Sequence, residues 1–149
     1  MVKRIIYPPM WLVIGVAAIF ALDAWLPGPR FTGLAMQVAG GAVIVVGLAL
    51  LVVAGGLFHR AGTDMIPFRE VSALVTSGVY AWTRNPMYLG MALVLLGTAL
   101  TVGAATALAV PLLFMVIIEW RYIRPEEAML RGIFPQDYPA YCARVRRWL

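Results

Sequence analysis

The stretch MYLGMALVLLGTALTVGAATALAVPLLFMVII, residues 87–118, runs for 32 residues without a charge. As a single helix it would measure roughly 48 Å at 1.5 Å per residue, whereas the hydrocarbon core of a bilayer is about 30 Å thick. The run is therefore either one overlong span or a hairpin of two shorter ones. The natural break is at 98–104, where Thr101 and Gly103 interrupt the larger apolar residues. Charge decides. In a hairpin, the N-terminus, the segment 59–85 and the C-terminal tail share one side, which then holds every Lys and Arg except Arg30. In a single span, the six arginines after position 120 would lie opposite Arg60, Arg69 and Arg84. Basic residues concentrate on the cytoplasmic side, so the sequence predicts four spans with both termini cytoplasmic.

The rest of the chain agrees with a membrane protein. It has 149 residues, 62% of them hydrophobic and 13% charged. A soluble domain would be nearer 45–50% apolar and about 25% charged. One domain, 1–149, is expected. Its spans are predicted at about 10–26, 33–58, 86–100 and 104–122. Pro8-Pro9 and the absence of a small-residue cleavage site argue against a signal peptide. Trp11 and Trp25 stand near the two ends of the first span, as interfacial aromatics do. The second carries Gly40, Gly41, Gly47, Gly55 and Gly56, which read as close helix packing. The net charge of +5 reports orientation first and anionic headgroups second, and no nucleic acid partner is expected. With a single cysteine, Cys142, and no His/Cys cluster, neither an intrachain disulfide nor a metal site is expected.

Chemistry concentrates in 74–90, LVTSGVYAWTRNPMYLG. Ser77-Gly78 is a turn signal. Asn85-Pro86 reads as a helix start, with Asn as N-cap and Pro at the first helical position. The helix so begun points the positive end of its dipole at the polar residues before it. There is no Ser/His/Asp set, P-loop, zinc spacing or dinucleotide fingerprint. His59, the only histidine, reads as interfacial and solvated. Glu119 is close enough to the end of the last span to be a functional candidate, with pairing to a neighbouring arginine as the plainer alternative. Arg124-Pro125-Glu126-Glu127 reads as the opening of a further helix. Tyr138, Tyr141, Val145 and Trp148 recur on one helical face, as in an amphipathic helix lying on the cytoplasmic membrane surface or closing over the spans.

This stretch resembles the signature of the isoprenylcysteine carboxyl methyltransferases, integral membrane enzymes related to the phospholipid methyltransferases. The family pattern is LVTxGxY, a short spacer, then R-H-P-x-Y-x-G. The likeness continues through Glu126-Glu127, Phe134, Tyr138, Tyr141 and Arg144-Val145-Arg146, covering roughly the second half of the chain. It implies an all-α bundle of about four transmembrane helices with a cytoplasmic C-terminal amphipathic helix. The implied cofactor is S-adenosylmethionine, with S-adenosylhomocysteine as product, held by 62–90 together with 121–149. Carried onto this chain, the cofactor contacts fall on Ser72, Ala73, Leu74, Val75, Tyr80, Asn85, Pro86, Met87, Tyr88, Glu126 and Glu127. Arg121, Arg124 and Glu126 are the implied catalytic residues.

The resemblance also implies a lipophilic acceptor from the bilayer, with a prenylated-cysteine-like carboxylate first and an amine second. A non-catalytic module, either a small transporter or a partner-binding subunit, is the reading from a different class. The membrane would be a bacterial-type inner or plasma membrane. One departure stands out: the family histidine is Asn85 here. Asn keeps hydrogen-bonding ability but loses a group titrating near neutrality. Rates should therefore show no dependence on an ionisation at this position.

Overall fold

The computed structural model describes residues 7–60, 62 and 73–149. Among these the regular structure is helical, apart from two isolated bridges, Arg30 with Ala104 and Thr83 with Arg146. Helix α1 is Pro8–Trp25, α2 Leu34–Arg60 and α3 Pro86–Val102. The last long helical stretch, Ala105–Ile133, comprises a 3₁₀ turn, α4 (Ala109–Ile118), a π-helical turn (Glu119–Ile123) and α5 (Arg124–Ile133). A short α6, Asp137–Arg144, follows. Three helical stretches are long and apolar enough to cross a membrane, and α3, with 17 residues, is shorter.

The uncharged run is a hairpin. Gly103 ends α3 in the left-handed region, φ 74°, where glycine meets no Cβ penalty, and its N–H closes on the Ala99 carbonyl. The bend is fixed from outside: Ala105 N–H donates to the Pro29 carbonyl (3.0 Å) and Thr106 Oγ1 to that of Leu26 (2.6 Å). The Asp23–Arg30 ion pair, 2.8 Å, closes the α1–α2 link at the same end. At the other end Trp11 Nε1 donates to Tyr122 Oη (3.1 Å), and the Phe58 ring lies 5.3 Å from that of Tyr80. The four helices therefore alternate in direction, and the starts of α1 and α3 meet the ends of α2 and α4 at one end of the bundle.

Helix α3 is the centre of the bundle, and Leu95 and Ala99 on it are fully buried. Its contact with α2 runs through glycines. A β-carbon on Gly97 would stand 2.5 Å from the Gly40 carbonyl oxygen, and one on Gly47 would stand 2.7 Å from that of Gly90. Those neighbours are backbone and cannot swing away, so the pairs set the helix separation. Gly41 and Gly56 face open space. Gly97→Leu is expected to part α2 from α3 and cost about 3 kcal/mol, near the top of the overpacking range. Thermal melting in detergent checks this, with Gly41→Leu as the control that leaves the midpoint unchanged.

Two expectations change here. The helix predicted to open at Arg124 is continuous with α4. Pro125 has no N–H to donate, and the ladder slips one residue, so that Arg124 N–H closes on the Glu119 carbonyl in a π turn. The C-terminal amphipathic helix stops at Arg144 after eight residues. Tyr138, Tyr141 and Val145 are buried beside Leu74, Leu130 and Phe134, so this face closes over the bundle end; Trp148 leaves it for Glu119.

Candidate active site

The site forms where the chain turns into α3. Asn85 is the N-cap residue and Pro86 follows at the first helical position. The Asn85 side chain does not cap the helix; Nδ2 donates to the Arg147 carbonyl (2.9 Å). Thr83 Oγ1 donates to the same carbonyl (3.2 Å), and Arg84 N–H to that of Arg146 (2.9 Å). Residues 145–147 thus lie along 83–85 as a strap.

Beneath the strap is a charged network. Arg84 donates through Nη1 to the carbonyls of Cys142 (3.2 Å) and Val145 (3.1 Å), at the end of α6, and through Nη2 to Glu127 Oε1 (2.9 Å). Arg147 grips both oxygens of Glu127, with Nε on Oε1 (2.9 Å) and Nη2 on Oε2 (2.8 Å), and its Nη1 reaches Glu119 Oε1 (3.0 Å). Trp148 Nε1 donates to Glu119 Oε2 (3.2 Å). The forked bond to Glu127 raises the Arg147 pKa above its ordinary value, against a smaller opposing effect of burial. Glu127 is only 3% exposed, and two guanidiniums are what permit a carboxylate there. The network joins the start of α3, the first turn of α5 and the chain's last residues.

Against it lies a cavity of about 600 Å³. At its polar end Tyr88 Oη donates to Glu126 Oε1 (2.8 Å), linking α3 to α5. Tyr80, Asn85, Tyr138 and Tyr141 share the lining. Leu74, Val75, Met87, Met91, Ile123 and Leu130 supply apolar walls, and Tyr7, Pro8, Pro9 and Phe58 line it from α1 and α2. Tyr141 Oη donates to the Tyr80 carbonyl (2.6 Å). Burial pushes the Tyr141 phenol up to about 12 and raises Tyr80 and Tyr138 as well. All three stay protonated donors at neutral pH.

Ala73, Leu74, Val75, Tyr80, Asn85, Pro86, Met87, Tyr88, Glu126 and Glu127 all line this one cavity. Ser72 and the loop 63–70 lie outside the described residues. Glu127 differs from Glu126 because both its oxygens are committed to arginines. Arg121 and Arg124 are not brought in. Arg121 is exposed; Arg124 bonds Glu119 Oε1 through Nε (3.2 Å) and Nη2 (3.0 Å) and stacks 3.6 Å from the Trp120 ring centroid. Residues two apart on a helix face different ways, so Arg124 cannot share the direction of Glu126. Glu119 takes the plainer role, paired with Arg124 and Arg147. His59 is exposed at the end of α2 and does not line the cavity. Sequence reasoning missed Arg84, Met91, Tyr138 and Tyr141 as lining residues. Arg84 carried a signal inside the RNP block, and the two tyrosines carried one in their i, i+3 spacing.

Membrane-length helices enclosing a largely apolar cavity with a few polar groups define an integral membrane protein with a small-molecule site. The chain belongs to the phospholipid methyltransferase family, whose family model matches residues 35–137. It is 36% identical to the protein-S-isoprenylcysteine O-methyltransferase of Schizosaccharomyces pombe, over 48% of this chain and 30% of that one. It is also 36% identical to an uncharacterized protein of Haemophilus influenzae, over 42% of this chain and the whole of that one. Its fold is similar to the solved eukaryotic intramembrane Ras methyltransferase, isoprenylcysteine carboxyl methyltransferase. That match has a TM-score of 0.69 at 25% identity and covers 95% of this chain and 51% of the other. The chain thus spans about half the length of that methyltransferase. The resemblance read from the RNPMYLG block is borne out, as is the all-helical membrane bundle.

Proposed function

We propose that the chain methylates a lipophilic acceptor from the bilayer, with S-adenosylmethionine as donor. The preferred acceptor is the carboxylate of a prenylated-cysteine-like compound. The observation that carries this reading is the Tyr88–Glu126 hydrogen bond, 2.8 Å, between two polar patches far apart in sequence and inside one cavity. The lining suits the cofactor. Its volume of about 600 Å³ falls in the usual range of roughly 300–1,000 Å³ for such sites. A carboxylate and phenols at one end match an ammonium and ribose hydroxyls, and aliphatic and methionine walls match adenine and a thioether.

When bound, S-adenosylmethionine supplies a methyl group activated on a sulfonium. The chain's residues bind, orient and exclude water. Glu126 accepts from an ammonium or a ribose hydroxyl, and Tyr88 donates beside it. Leu74, Val75 and Met87 hold the apolar parts. Tyr138 and Tyr141 on α6 cover the site from water. Glu127 and Arg84 support the walls and take no part in the reaction. A carboxylate acceptor is already deprotonated at neutral pH, so no base is needed, which agrees with a lining that offers no imidazole. The bundle end with the cavity also carries most of the arginines, which supports a cytoplasmic site with both termini on that side.

The family match supports a second reading, an amine acceptor as on a phospholipid headgroup. The two differ in pH dependence. With a carboxylate, kcat/KM should stay flat from about pH 6 to 9, since the buried tyrosines do not ionise in that window. An amine must lose a proton first, and the rate should climb about tenfold per pH unit below its pKa. Incubating the purified protein with labelled cofactor and a lipid extract from its own cell, then identifying the product, tests the function directly. A labelled methyl ester supports the first reading and a labelled methylamine the second. Absence of both product and S-adenosylhomocysteine binding would leave the non-catalytic module.

A further inference from the structure

We infer that the outer side of the C-terminal strap is a binding face for anionic lipid headgroups. Among the described residues at this end, Arg84, Arg124, Arg131 and Arg147 are each ion-paired to Glu119 or Glu127. The guanidiniums of Arg121, Arg144 and Arg146 are exposed and form no ion pair with any described residue. Two indoles at this end are also exposed, Trp82 at 81% and Trp120 at 61%.

These groups gather through the contacts that build the strap. Thr83, next to Trp82, bridges to Arg146, and Glu119, next to Trp120, binds Arg147 and Trp148. Both indoles therefore flank the point where α3 begins and α4 ends, the level at which tryptophan meets headgroups. In the extended strap Arg147 turns inward to Glu127, and its neighbour Arg146 turns outward. Unpaired guanidiniums among interfacial indoles fit phosphate oxygens of the leaflet in which the helices already stand. Neutral zwitterionic headgroups offer these cations no net charge. The occupant is a lipid of net negative charge.

The test places the full chain in bilayers containing dibrominated phosphatidylglycerol or dibrominated phosphatidylcholine at the same mole fraction, with tryptophan fluorescence as readout. Stronger quenching by the brominated phosphatidylglycerol is expected, corresponding to an enrichment of about fivefold per arginine near the surface. The excess should disappear in Arg121→Gln/Arg144→Gln/Arg146→Gln and in Trp82→Phe/Trp120→Phe. If the triple variant fails to insert, Arg144→Gln and Arg146→Gln singly should each reduce the excess. Equal quenching by the two lipids, or an excess that survives the arginine substitutions, would overturn the inference. Neither outcome depends on the methyltransferase reading.

Discussion

Glu127→Gln is expected to destabilise the protein by about 3 kcal/mol, because it removes the buried anion that two partly buried guanidiniums share. Glu127 is 4% exposed at its side chain and holds Arg84, at 12%, and Arg147, at 30%. Five arginine–carboxylate contacts in this part of the chain, to Glu127 and Glu119, depend on this cluster. Without the charge on Glu127, Arg84 loses the partner that ties α3 to α5, and the strap 145–147 loses its inward anchor. Melting in detergent should show a lower midpoint before any ligand is added. Arg147→Met should lower it in the same direction, and the double variant should lose less than the sum of the two, since both remove the Arg147–Glu127 pair. Unchanged melting in both variants would show that the network does not hold the bundle end together.

The neighbouring acid should behave in the opposite manner. Glu126 accepts from Tyr88 across the cavity and, unlike Glu127, is only partly buried. Glu126→Gln keeps an acceptor for Tyr88 and should lower the melting midpoint less than Glu127→Gln does. It should weaken S-adenosylhomocysteine binding by about 10- to 100-fold, the worth of one hydrogen bond to a charged group. Isothermal titration reads this directly. Tyr88→Phe should cost less, about tenfold, because a neutral donor is lost. Equal affinity in the parent and Glu126→Gln would remove this acid from the cofactor site.

This split between adjacent glutamates marks the limit of what the sequence shows. The apolar runs and the placement of arginines were enough to read four helices and a hairpin near Gly103, because length against bilayer thickness and charge sidedness are properties of linear sequence. The mouth of α3 was legible for a similar reason: Asn85-Pro86 is a local start signal. What was not legible depends on contacts across the chain. Glu126 and Glu127 look alike in sequence, and only the return of Arg147, 20 residues later, separates them. The same return takes the Asn85 amide away from its capping role. The continuity of α4 and α5 was hidden because Pro125 ordinarily signals a helix start, and a π turn satisfies it inside a helix instead. Arg121 and Arg124 came from resemblance alone, and the direction of their side chains follows from the turn that precedes α5.

The central proposition is that the RNPMY mouth of α3 and the first turn of α5 hold one ligand between them. A structure of the chain with S-adenosylhomocysteine tests it most directly. The account predicts the nucleoside amino acid inside the cavity lined by Leu74, Tyr88 and Glu126, within hydrogen-bonding reach of the Glu126 carboxylate. A ligand lodged elsewhere, or Tyr88 and Glu126 drawn apart with nothing between them, would contradict it.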